Sequence, residues 1–141
     1  MIGRLALTAR IVLVPYAIAV LLLTWLPADE AGKVTGIVAV FARLVALWGV
    51  PFEAAYAVLE FAANIALFVP LGVLLVAGWR RIPAWTIVAV GAAASTVIEL
   101  VQLALPSRYS TLSDVIANTL GTAVGLVIAR AFLRRGTADN P

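Results

Sequence analysis

Four apolar runs, each about as long as a bilayer is thick, leave this chain very few ways to fold. They cover residues 11–26, 55–77, 83–105 and 112–133. About 20 apolar residues in a helix cross a hydrocarbon core roughly 30 Å thick. Inside lipid every backbone N–H and C=O has to be paired within the protein, which leaves helices or closed barrels. The runs lack the apolar–polar alternation of barrel strands, so the sequence predicts four membrane-spanning helices. Composition agrees: 64% of the residues are hydrophobic and 12% charged, where a soluble domain carries about a quarter charged. The predicted fold is a single all-α domain over 1–141, an integral membrane four-helix bundle with its first helix at 11–26, its polar motifs within 55–133 and a polar tail at 134–141.

Residues 31–50 are apolar too, but Lys33, Gly36 and Arg43 shorten the clean run below spanning length. An amphipathic helix lying in the interface fits this pattern, with Phe41 and Trp48 as anchors. The first run follows Arg4 and Arg10 as a signal peptide would. No small-residue cleavage site succeeds it, because Trp25, Leu26 and Pro27 end it.

Basic residues set the expected orientation. With the N terminus in the cytoplasm, Arg4, Arg10, Arg80, Arg81, Arg130, Arg134 and Arg135 lie inside, and Lys33, Arg43 and Arg108 outside. Seven against three obeys the positive-inside rule, and four crossings return the C terminus to the cytoplasm. The expected location is therefore the cell membrane, with the lipid bilayer as surroundings. Despite a net charge of +3, the basic residues flank the spans instead of forming a stripe, so no nucleic acid is expected. Zero cysteines and zero histidines exclude disulfides and thiolate metal sites, and remove the usual zinc ligand and neutral-pH base. Oxygen ligands remain, without the dense spacing of a calcium loop. Neither a metal nor a cofactor is expected.

Three carboxylates, Glu60, Glu99 and Asp114, lie in or at the edge of the apolar runs. An ionised side chain at the bilayer centre costs roughly 2.5–3.5 kcal/mol on insertion scales, so such groups face protein or water. Each has an amide one turn away: Asn64 after Glu60, Gln102 after Glu99 and Asn118 after Asp114, on the same helix face. In the expected topology all six share one depth near the outer surface. Arg108, in the short loop before the last helix, is the natural counter-ion for Glu99 or Asp114. Asp114 also suits the first turn of a helix capped by Thr111 or Ser113. Asn64, Gln102 and Asn118 serve equally as interhelical hydrogen-bond groups or as ligand contacts. Pro70 and Gly72 read as a kink in the second span. Gly121 and Gly125, with Ala117, read as a close-packing face of small residues.

The segments NIALFVPLG at 64–72, IELVQ at 98–102 and SRYSTLSDVIANTLGTAVG at 107–125 together resemble the VanZ-like proteins, over the second to fourth spans. The polar and small residues that recur in that family correspond here to Asn64, Pro70, Glu99, Gln102, Arg108, Asp114, Asn118 and Gly121. Many members carry further acids just before the last Asp, where this chain has Thr111 and Ser113, which argues against a densely charged metal cage. The family takes its name from a protein linked to teicoplanin resistance. The resemblance thus implies a role at the outer face of the cell envelope, where lipid-linked cell-wall precursors sit, and a bearing on antibiotic resistance.

The functional expectation is an outer-leaflet polar site for a head group, lipid-linked or glycopeptide-related. Arg108 would hold a phosphate or carboxylate, and Asn64, Gln102, Asn118 and Glu60 would orient the remainder. If Glu99 or Asp114 acts as general acid or base, the site is catalytic; otherwise it only binds. Two other readings stay open: an accessory subunit packed on another membrane protein or on further copies, and a small transporter or proton relay.

Overall fold

The computed structural model of the protein describes residues 2–25, 28–105 and 111–138. They form five helices: α1 (Ile2–Trp25), α2 (Ala28–Ala46), α3 (Phe52–Gly78), α4 (Ala84–Leu103) and α5 (Leu112–Ala138), with no strand among the described residues. Four of them contain stretches long and apolar enough to cross a membrane: Gly3–Trp25, Phe52–Gly78, Ala84–Leu103 and Leu112–Arg134. The chain is a multi-pass helical membrane protein.

Helix ends depart from the hydropathy boundaries where charged residues continue a helix. α1 starts at Ile2, well before residue 11, and takes in Arg4 and Arg10; α5 runs on through Arg134 to Ala138, so the first part of the polar tail is helical. Arginine is a good helix former and its long stem reaches water from a helix end, so polarity alone does not stop the helix. α2 spans Ala28–Ala46, not 31–50, and its apolar stretch among the described residues, Gly36–Ala46, is too short to cross. Gly49, with φ +89°, takes the left-handed conformation that turns the chain back towards α3. Trp48 lies in that turn and is 90% exposed, whereas Ala42 of α2 is fully buried. Pro51 and Pro83 open α3 and α4. A proline suits a helix start because its missing N–H would find no intrahelical partner there.

α3 and α5 make the most extensive contact, and α4 packs on α5 while α1 and α2 pack on α3. Glycines set how close α3 and α5 approach. A Cβ at Gly72 would strike the Thr122 carbonyl oxygen, one at Gly121 that of Ile65, and one at Gly125 that of Val69. Gly72 is therefore a packing residue facing α5. Gly91 similarly admits Thr122 between α4 and α5. Two apolar clusters fill the bundle, Leu75, Val76, Ile87, Leu126 and Ala129 at one level and Val20, Phe68 and Ile98 at another. Large side chains such as Ile11, Leu22, Val58, Leu100 and Val127 stay outside. In lipid they need no burial, and the helices associate through close packing and hydrogen bonds.

Candidate functional site

The polar groups gather where α3 begins, α4 ends and α5 begins. Thr111 precedes α5 and caps it: its hydroxyl accepts the backbone N–H of Asp114 at 3.1 Å. Asp114 is the third residue after Thr111, as in a capping box, where the acid would accept the N–H of the cap residue. Here Glu99, reaching over from α4, accepts the Thr111 N–H through Oε2 at 2.9 Å instead. Glu99 is buried, 6% exposed. The Asp114 side chain, spared that local bond, turns across the bundle, and its Oδ1 accepts the Nδ2–H of Asn64 on α3 at 2.6 Å. One chain of contacts thus links α4, the start of α5 and α3.

Glu60 lies one turn before Asn64 on α3 and is exposed. Its carboxylate feels the charge of Asp114 and hydrogen-bonds with the Tyr56 hydroxyl, which ties it to the same group. Asn118, one turn deeper on α5, is buried and donates through Nδ2 to Ser95 Oγ on α4 at 2.8 Å. Its own Oδ1 is buried without a hydrogen-bond partner. An unmatched buried acceptor costs on the order of 1–3 kcal/mol, so it marks a place where a donor from a ligand would be favourable.

Gln102 does not join the group. Its Nε2 donates at 2.9 Å to the Thr24 carbonyl oxygen, fastening α4 to the end of α1. Arg108 falls in 106–110, outside the described residues. Pro70 sits within an unbroken α3 and faces outward. Next to it the Tyr16 hydroxyl of α1 donates to the Leu67 carbonyl oxygen at 2.6 Å and engages the Leu71 backbone. The carbonyl that Pro70 leaves without an intrahelical donor is that of Ala66, one residue before the Tyr16 acceptor, and membrane helices tolerate such a proline where the surroundings re-satisfy the backbone. Tyr16 and Ser95 escaped sequence reasoning. Ser95 shares one face with Glu99 and Gln102, at i, i+4 and i+7, a usable signal; Tyr16 carries none.

The opposite end of the bundle is basic. Arg10 Nε donates to the Gly78 carbonyl oxygen at 3.0 Å, its guanidinium lies 4.9 Å from the Trp79 ring centre, and Arg130 donates to the Ile82 carbonyl oxygen at 3.1 Å. Carboxylates and arginines are thus segregated to the two ends of the spanning helices.

Among protein families, the model of VanZ/LLP1 matches residues 13–134. No curated protein and no solved structure matches the chain.

Proposed function

The chain belongs to the VanZ/LLP1 family, matched over residues 13–134, and from that premise we propose that its polar end binds the head group of a membrane lipid, in particular a lipid-linked cell-wall precursor. The unmatched Oδ1 of Asn118 carries this reading. Beside it stand Asp114, held by Asn64 and half-exposed, and Glu60, exposed on the adjoining turn. A sugar or peptide head group is rich in donors, and this site offers acceptors. Arg108, in the segment that joins α4 to α5 in sequence, supplies the cation for the phosphate. Glu99 acts as a positioning group, because its buried carboxylate accepts the Thr111 N–H. Asp114 is the residue with access to a ligand, and any acid–base step falls to it.

The basic end faces the cytoplasm and the polar end the outside of the cell membrane, with α2 in the outer interface. Binding there alters susceptibility to glycopeptides of the teicoplanin type.

Asp114→Asn, Asn118→Ala and Arg108→Ala, each expressed at wild-type membrane abundance, are expected to lose the change in teicoplanin susceptibility. Normal susceptibility effects in all three at full abundance would sink the proposal. Incubation of the purified protein with a lipid-linked precursor then separates binding from catalysis: a covalent product shows an enzyme, and stoichiometric retention without product shows a binder. An accessory subunit would show neither.

A further inference from the structure

The end of the bundle opposite the carboxylates holds a second concave feature that the proposed head-group site does not use. A cleft of about 310 Å³ opens between the α3–α4 turn and the last turns of α5. Arg80, Arg130, Arg134 and Trp79 line it, over an apolar floor that includes the buried Val76 and Ile87. No acidic residue lines it among the described residues.

Arginines at helix ends commonly do no more than set topology, but two of these walls are built. Arg130 is fixed by its donation to the Ile82 carbonyl oxygen, which occupies one of its five N–H donors. Trp79 is fixed by Arg10, which stacks on its ring and is itself bonded to the Gly78 carbonyl oxygen. Arg130 and Arg134 stand four residues apart on α5, on one face of the helix, and Arg80 brings a third guanidinium to the same cleft from the turn. A planar guanidinium matches phosphate with two parallel N–H bonds.

We propose that this cleft binds the phosphate of an anionic membrane lipid in the leaflet it faces. The shared chemistry is a phosphate monoanion. The apolar floor and the position at the ends of spanning helices favour a lipid over a soluble ion, because Val76, Ile82, Ile87 and Leu133 offer acyl methylenes an apolar surface that a free phosphate would not use.

The test is native mass spectrometry of the full chain released from nanodiscs of phosphatidylglycerol or of phosphatidylcholine, comparing wild type with Arg80→Gln, Arg134→Gln and Arg81→Gln. Arg81 is exposed beside the cleft but does not line it, so its variant changes the charge equally and leaves the site intact. Phosphatidylglycerol is expected to be retained over phosphatidylcholine. Retention should fall about fivefold in the Arg80 and Arg134 variants and hold in the Arg81 variant. An equal fall in the Arg81 variant would reduce the cleft to diffuse attraction and overturn the proposal, as would equal retention of the two lipids by wild type. Displacement of the lipid by inorganic phosphate would make the ligand a soluble anion and overturn the lipid assignment.

Discussion

Glu99 stands in for the acid of a capping box from a different helix, so the start of α5 depends on a residue of α4. The two side chains that hold Thr111 and Asp114 in place should therefore differ in their tolerance to change. Glu99→Ala leaves the Thr111 N–H without its acceptor and is expected to cost about 1–3 kcal/mol, while Glu99→Gln keeps an acceptor oxygen and should cost less. Thr111→Val removes the cap and should cost about 1 kcal/mol, with Thr111→Ser close to wild type. Thermal unfolding of the purified protein in detergent checks all four; equal melting of Glu99→Ala and wild type would remove Glu99 from the cap. The sequence made Asp114 legible as a first-turn acid and Thr111 as a candidate cap, because both signals are local. It could not show that Glu99 would take the place of Asp114, since that depends on how α4 and α5 approach. Gln102 was misleading for a related reason. Three residues along a helix leave about 60° between side chains, enough to point Glu99 at α5 and Gln102 at α1.

At the scale of elements, the contact between α3 and α5 rests on glycine, and the contact between α1 and α3 includes two bonds to main-chain carbonyls. Gly125→Val places a side chain against the Val69 carbonyl of α3, a backbone atom that cannot turn away. The two helices must separate, at a cost of about 3 kcal/mol or more, seen as a sharp loss of folded protein in the membrane. Gly36→Ala serves as the control, because a Cβ there meets nothing within 4 Å. Similar loss from both substitutions would refute the packing role. Tyr16→Phe is expected to cost about 1 kcal/mol through its bond to Leu67. Equal melting of Tyr16→Phe and wild type in detergent would remove that bond from the seam. The spans themselves were legible from hydropathy and the glycine face from its spacing. The seat of Tyr16 was not, because an apolar run gives no sign of which tyrosine meets which carbonyl.

For the whole molecule, the gathering of Arg10, Arg80, Arg81 and Arg130 at one end of the spanning helices and of Glu60, Glu99 and Asp114 at the other makes orientation a measurable property. The chain has no cysteine, so a single introduced one is the only thiol. Gly49→Cys, in the turn between α2 and α3, is expected to react with an impermeant maleimide on intact cells, and Arg81→Cys, between α3 and α4, only after permeabilisation. The reverse pattern would invert the orientation and place the carboxylate end in the cytoplasm. Labelling of both positions from one side would contradict a single crossing by α3.

Three side-chain bonds that fasten α1 to the rest of the bundle end on main-chain carbonyls: Arg10 on Gly78, Tyr16 on Leu67, and Gln102 on Thr24. A carbonyl is present whatever residue bears it. Across divergent relatives the seam should therefore age unevenly, with the donors Arg10, Tyr16 and Gln102 held in place while Leu67 and Thr24 drift freely among residues of suitable size.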